Sequence, residues 1–346
     1  MAQVKTISLI EAFKTLELPE LDRNLFSSRE WLSVLIETYK LKLYVKYIEE
    51  DGKVASYIVY SIVHNFLEWK ICICSYCDYC DCYVQSPEHW HEFFLSIRKD
   101  FPEYRIAIRN LRDETVRNCP DFKFLSKEYF HIVDVRPDIE TLWKKLYPNF
   151  RGACQQAVKR GVTVRRGGKT ELKKFFDLHL KLRKTKYRLF PQPYRFFDNI
   201  WEEYMAKDKG VLLGAYDKNG RFIAANVYLI CGNTLYYKFA TSSLEKLDCR
   251  PNNLLIWHGI QFAKERNLEF VDLGSSGFHQ DSLVWFKSHI SEMTTKMEIT
   301  HWGYAPPKYK FSRKAILGLM TELFTLPWMP NFLVRFGSNI IYWYLA

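Results

Sequence analysis

Apolar positions along the chain follow two spacings in turn, and each change of spacing marks a new element. Residues 28–40 (SREWLSVLIETYK) carry apolar side chains three and four apart behind a serine cap, which predicts an amphipathic helix. Three strand-like runs follow: LKLYVKYIE (41–49), KVASYIVYSIV (53–63) and FLEWKICIC (66–74). The Asp51–Gly52 pair predicts a tight hairpin between the first two. Residues 87–100 start with proline after Ser86 and read as a second helix, since the first helical position needs no N–H. YRIAIRN (104–110) and EYFHIVDV (128–135) read as strands.

The second half repeats this order. Residues 139–160 form a helical connection, VTVRR (162–166) a strand, and about 170–186 and 194–207 two helices. VLLGAYD (211–217), RFIAANVYLIC (221–231) and TLYYKFATS (234–242), separated by KNG and GN turns, predict an antiparallel meander. PNNLLIWHGIQFAKERN (251–267) is an amphipathic helix with Leu255, Ile256, Gly259, Ile260 and Ala263 along one face, and LEFVDLG (268–274) a buried strand. A short helix over 281–290 and a strand over 294–302 close the pattern. The expected fold is α/β (α+β): two similar domains, 1–138 and 139–305, each a mixed, mostly antiparallel sheet flanked by helices, with an apolar helical tail over 306–346.

Hydrophobic residues make up 48% of the 346 positions, ample for two cores. The N-terminus lacks the basic and apolar regions of a signal peptide, and no apolar stretch is long enough to span a bilayer, so the expected compartment is the cytoplasm, with reduced cysteines. Charge is uneven. Residues 140–190 hold fifteen Lys/Arg against three acids, a net +12 that exceeds the whole chain's +11. Such a strip either attracts a polyanion or is a solvated helix surface. No G-x-S-x-G elbow, Walker loop or H-E-x-x-H motif is present, which removes support for hydrolase, NTPase and zincin chemistry.

The element order resembles the GNAT acyltransferase fold, and two in tandem resemble its Fem-type branch. The resemblance covers about residues 10–305. NFRGACQQAVKRGVTV (149–164) is similar to that branch's N-x-R-x-x-I-R-K-A-x-K-x-G-V-x-V stretch. RPNNLLIWHGIQFAKERNLEFVDLG (250–274) is similar to its helix and the strand ending D-F/L-G, and SLVWFK (282–287) to its G-L-x-x-F-K element, with Ser282 in place of glycine. The resemblance implies transfer of an acyl or aminoacyl group to an amine of an amino-sugar, peptide or cell-envelope precursor. No cofactor is held permanently, and acyl-CoA or aminoacyl-tRNA serves as co-substrate. The usual pyrophosphate loop Q/R-x-x-G-x-G/A is replaced by SSLEKLDCRPNN (242–253), which lacks glycine. That leaves acetyl-CoA, a longer acyl-CoA, aminoacyl-tRNA and an acyl-carrier protein open as donors.

On this resemblance the candidate catalytic residues are Lys287, Asp272, Tyr237 and Lys238, and the candidate substrate-binding residues Arg151, Phe286, Asn252 and His279. Lys287 lies on the F-K element. Asp272 ends a buried strand, where an acid needs a use or a partner, as a base or in fixing a turn. Tyr237 and Lys238 are neighbours on one strand, so strict alternation sends at most one into a cleft. His258 and His279 are candidate bases by ordinary pKa.

Two segments stand apart. Residues 72–82 (CICSYCDYCDC) hold five of the nine cysteines. In the Fem-type branch this place resembles P-F-x-D-Y-G-G, matched here by Asp78 and Tyr79. A strand would send alternate thiols to opposite faces, so the expectation is buried thiols packing as small hydrophobes and no metal. The tail, 308–346, has Glu322 as its one acid, basic Lys308, Lys310, Arg313, Lys314 and Arg335, and Trp328, Tyr342, Trp343 and Tyr344. Pro327 and Pro330 break it into two short helical pieces. It suits either an anionic membrane surface, on the inner face, or packing on protein. The rivals to transfer are a silent scaffold binding nucleotide-sugar or lipid-linked intermediates, and an RNA-binding module.

Overall fold

A computed structural model describes residues 3–65, 68–307 and 314–345, with backbone alone for 314–317 and 343–345. In chain order its elements are β1 (Val4–Ser8), α1 (Leu9–Thr15), α2 (Arg29–Tyr39), β2 (Leu43–Glu50), β3 (Lys53–His64), β4 (Trp69–Ile73), α3 (Pro87–Asp100), β5 (Arg105–Asn110) and β6 (Lys123–Asp134). There follow α4 (Ile139–Lys145), α5 (Pro148–Lys159), β7 (Thr163–Arg166), α6 (Lys169–Leu182), α7 (Tyr194–Ile200), β8 (Gly210–Tyr216), β9 (Phe222–Cys231) and β10 (Thr234–Ser242). The last are α8 (Pro251–Glu265), β11 (Phe270–Gly277), α9 (Asp281–Ser288), β12 (Thr294–Tyr304), α10 (Lys314–Phe324) and α11 (Asn331–Leu345).

The chain forms two compact units, one of residues 1–128, 298–318 and 341–346 and one of 129–297 and 319–340. The first unit orders its strands β1-β2-β3-β4-β5-β12. Asp51 and Gly52, both at positive φ, turn the β2–β3 hairpin as the sequence predicts. β4 and β5 then run parallel, paired over Lys70–Cys72 and Arg105–Ala107. β1 and α1 are elements the sequence reading missed; β1 pairs along β2. Lys46 on β2 is fully buried, an unexpected place for a cation. Its ammonium donates to Thr6 Oγ1 (2.9 Å), Ser96 Oγ (2.8 Å) and Asp100 Oδ2 (2.7 Å), which fills its donor capacity.

The second unit orders its strands β6-β11-β10-β9-β8-β7. The meander β8–β9–β10 is antiparallel, and β11 joins β10 in parallel after the α8 crossover. α8 is apolar nearly all round because it sits between α5 and the sheet, with Leu254, Leu255, Trp257, Ile260, Phe262 and Ala263 buried. Gly259 is fixed by close approach: a Cβ there would stand 2.5 Å from the ring of Tyr228. That tyrosine's hydroxyl donates to the Leu255 carbonyl (3.2 Å) and accepts from Asn226 Nδ2 (3.0 Å). One buried hydroxyl thereby ties helix to strand.

Pro327 and Pro330 do separate two helices in the tail. Residues 319–340 pack in the second unit, where Lys184 donates to the carbonyls of Pro327 (3.1 Å) and Met329 (2.5 Å). Gly337 lies against Phe190 and Phe324. Lys308, Lys310 and Arg313 lie outside the described residues, as do the side chains of Lys314, Trp343 and Tyr344. Among the described residues no helix is long and apolar enough to cross a membrane.

Candidate active site

β10 and β11 pair only over Thr234–Tyr236 and Phe270–Asp272. Both strands continue past this point, β10 held on its other side by β9 as far as Ser242. The two strands therefore stop sharing a ladder while still extended, and each has main-chain groups beyond the parting that no longer bond to the other. Buried main-chain polar groups need partners. Tyr237, Lys238 and Asp272 lie on the two strands at this parting, and Lys287 reaches the turn after Asp272.

Lys238 sits in a β-bulge: Tyr237 opposes Tyr228 and Phe239 opposes Val227, so Lys238 is the inserted residue. The bulge breaks the strict alternation expected for Tyr237 and Lys238. Tyr237 stacks near Tyr228, with ring centres 5.6 Å apart, and burial pushes its phenol well above the ordinary tyrosine range, so it stays protonated at neutral pH. At the far end of β10, Asn252 in the first turn of α8 reaches Ser242 Oγ (3.5 Å). The glycine-free junction forms a 3₁₀ turn, Leu244–Cys249, and Arg250 takes the left-handed conformation that glycine would favour, with Pro251 opening the helix. The first-turn amides of α8 have no partner within the helix.

On β11, Asp272 is 2% exposed, and its Oδ1 accepts from the amide of Gly274 (2.6 Å), which sits at φ +72°. That is the turn-fixing use. Lys287 on α9 is 6% exposed and donates to the carbonyls of Gly274 (3.2 Å) and Ser275 (2.8 Å). Asp272 and Lys287 thus meet at Gly274, just past the parting. The other predicted residues stand farther out. Phe286 packs toward Phe150, with ring centres 6.1 Å apart. Arg151 on α5 donates to the Lys144 carbonyl (3.1 Å). His279 is exposed beside Gly277. His258 is half-buried on α8, and burial lowers its pKa.

His131 on β6 was not singled out from the sequence. It is fully buried, its Nε2 lies 3.0 Å from Ser288 Oγ, and its Nδ1 has no hydrogen-bond partner among the described residues. Burial, with Lys287 and Lys296 nearby, pulls its pKa down to about 4. The available signal was a histidine inside a run buried on both faces.

Among the described residues, six of the strip's fifteen cations have acid partners within the second unit and four more, Arg151 among them, are engaged by carbonyls. Lys145, Arg160, Arg166, Lys169, Lys174 and Lys181 pair with acids, and Arg183 and Lys184 donate to carbonyls. Arg188 donates to the Thr325 carbonyl. This matches the solvated-surface alternative better than a continuous polyanion track.

In the first unit, β4 ends at Ile73 and residues 74–82 form a loop. The expectation of alternating thiols fails there because the segment is not a strand. Cys74 and Cys80 pair as a disulfide, contrary to the expectation of reduced cysteines, and the sulfurs of Cys74, Cys80 and Cys82 lie within 4.8 Å of one another.

Comparison with known proteins agrees with this geometry. Residues 144–280 match the acetyltransferase (GNAT) domain family. The crystal structure of FemX is similar in fold, with a TM-score of 0.64 and 15% identity over 92% of this chain and 100% of that one. A tandem GNAT protein from the clavulanic acid biosynthesis pathway, solved without AcCoA, gives 0.57 and 9% identity over 89% and 100%. L-PGS from Bacillus licheniformis gives 0.52 and 13% over 85% and 92%. No curated protein sequence matches the chain. Residues 144–280 thus carry a GNAT acetyltransferase domain, and the chain as a whole shares the fold of FemX and of the tandem GNAT protein.

The buried histidines set a pH dependence. Burial pulls His179 down to about 4 as well. An unfolded histidine titrates near 6.5, so between pH 6.5 and 4 the unfolded chain takes up protons that the folded chain refuses. Stability is therefore present above pH 6.5 and falls as pH drops toward 4, by up to about 3 kcal/mol per histidine. Denaturant unfolding of wild type and a His131→Gln/His179→Gln variant at pH 7, 5.5 and 4.5 checks this. The variant should show a shallower decline; an identical decline would remove the histidines as its cause.

Proposed function

We propose that this chain, a Fem-type member of the GNAT superfamily by its domain and tandem fold, transfers an acyl or aminoacyl group from a thioester or aminoacyl-tRNA donor to an amine. The observation that carries the reading is the parting of β10 and β11 beside the bulge at Lys238. A strand edge released from its neighbour offers main-chain donors to an acyl carbonyl, and preorganised amides stabilise the oxyanion that forms when the amine attacks. The C–N bond forms as the C–S or C–O bond to the donor breaks. The amine loses a proton and the leaving group gains one. Tyr237, held protonated by burial, is assigned the second transfer. Lys238 and the first turn of α8, with Asn252, are assigned to the anionic part of the donor. Asp272 and Lys287 are assigned to positioning, because they hold the Gly274–Ser275 turn at the edge of the cleft. Arg151, Phe286 and His279 are assigned to the acceptor.

The ion pairs and carbonyl contacts that engage ten of the strip's fifteen cations count against the RNA module. FemX and L-PGS have the same tandem fold, and an amine of a cell-envelope precursor or a lipid-linked molecule is the acceptor class assigned here. Contact with an anionic membrane surface on its inner face is part of the same reading. Leu319, Leu323, Trp328, Phe332 and Phe336 are all exposed, Trp328 by 71% and Phe332 by 67%. Leu319 and Leu323 on α10, and Phe332 and Phe336 on α11, stand four residues apart, so each helix carries an exposed apolar stripe, with Trp328 between the helices and Glu322 the only acid of the tail. An apolar stripe with an aromatic edge is costly to leave in water and fits the headgroup boundary.

Two measurements test this reading. Thermal unfolding is followed with acetyl-CoA, longer acyl-CoAs and aminoacyl-tRNA. A donor at about one hundred times its Kd adds roughly 2.7 kcal/mol of stability. Stabilisation by either class identifies the donor, and no stabilisation by any supports the silent scaffold instead. Co-sedimentation with vesicles is the second. The chain should pellet with anionic vesicles, and Phe332→Ser/Phe336→Ser should lower the bound fraction several-fold; equal pelleting of the variant would remove the stripe from the account.

A further inference from the structure

We propose that the cysteine loop of the first unit is a thiolate metal site, with Cys74, Cys80 and Cys82 as ligands and Zn²⁺ as the ion class. The three sulfurs lie within 4.8 Å of one another, and all three residues are buried. Zinc binds thiolates at about 2.3 Å in a tetrahedron, which places ligand sulfurs about 3.8 Å apart. The convergence is built by the chain. Cys74 and Tyr76 both take positive φ (51° and 54°), an uncommon state for residues other than glycine, and it folds the segment back on itself as soon as β4 ends. The loop is pinned on both sides: Cys74 N donates to the Val59 carbonyl on β3 (3.0 Å), and Cys80 N to the Arg109 carbonyl on β5 (2.7 Å). Asp81 fixes its far end, with Oδ1 accepting from the amides of Leu111 (2.7 Å) and Arg112 (2.9 Å).

A second observation points the same way. Beside these thiols is a void of about 10 Å³, lined by Cys74, Cys80 and Cys82 together with Glu20, Arg23 and Tyr57. That is the space of a single small occupant. Soft sulfur donors around such a space select Zn²⁺ over magnesium or calcium, which take oxygen ligands. The fourth position falls to water or to Cys77, which is buried on the same loop with its thiol donating to the Cys74 carbonyl (2.7 Å). The disulfide and the metal are alternative uses of the same sulfurs. A disulfide engages Cys74 and Cys80 and leaves Cys82 against it; an added phosphine or dithiol, itself oxidised by two electrons, returns two thiols. Zn²⁺ then binds as the three thiols release three protons.

The full chain, purified without chelator in the presence of a phosphine reductant, tests this. The expected result is about one equivalent of zinc per chain. Replacement by Co²⁺ should give the charge-transfer absorption of cobalt–thiolate bonds and the visible bands of tetrahedral cobalt. Cys80→Ser and Cys82→Ser should each weaken Co²⁺ binding at least tenfold, while Cys249→Ser, in the other unit, leaves it unchanged. The wild-type cobalt spectrum decides the matter even where a variant fails to fold. Reduced protein that holds no zinc and gives no cobalt–thiolate absorption would overturn the proposal, as would equal binding by Cys82→Ser.

Discussion

The constraint on which the second unit turns is a parallel strand pair that stays together for three residues and then separates. Pairing of β10 with β11 stops at Tyr236 and Asp272. A strand that leaves its neighbour inside a protein must find other partners for its amides and carbonyls, or keep them for a ligand. The first solution is present on β11. There the carbonyls of Gly274 and Ser275 are taken by the Lys287 ammonium, and the Gly274 amide by the Asp272 carboxylate. On β10 the bulge at Lys238 reshapes the strand at the parting. The stabilised edge and the remodelled edge lie on either side of the parting.

The surrounding packing serves that separation. α8 crosses between the two strands, and it can lie close to the sheet only because Gly259 leaves room for the Tyr228 ring. Tyr228 returns a hydroxyl bond to the Leu255 carbonyl, so the helix is fixed in depth by packing and along its axis by a hydrogen bond. Its first turn is thereby set at the end of β10, where Asn252 reaches Ser242. The first unit repeats the parallel pairing over three residues, between β4 and β5, and fills the space that follows with the cysteine loop. The same short parallel pairing thus recurs in both units.

Most of this architecture was legible in the sequence because it rests on short-range rules. The Asp51–Gly52 hairpin, the serine cap before Pro87 and the 251–265 helix follow from turn chemistry, capping and periodicity. The candidate site was legible only in outline. Asp272 and Lys287 stood out, yet their joint engagement of one turn depends on where α9 returns in space. The bulge at Lys238 hides from any reading by alternation, since one inserted residue changes the face of all that follow. Neither His131 nor Lys46 stands out in the sequence, because their burial and partners come from residues distant in sequence. The burial of the thiols in 74–82 was legible, but their convergence was not, because an alternation rule was extended into a loop with left-handed residues.

The most direct test of the central claim is amide hydrogen exchange of the full chain, with and without saturating acyl-CoA, and in parallel with aminoacyl-tRNA. The account predicts that the donor that binds slows exchange at residues 237–242, 251–255 and 273–277, the two strand edges past the parting and the first turn of α8. Donor binding that leaves these three segments unchanged and protects others would contradict it.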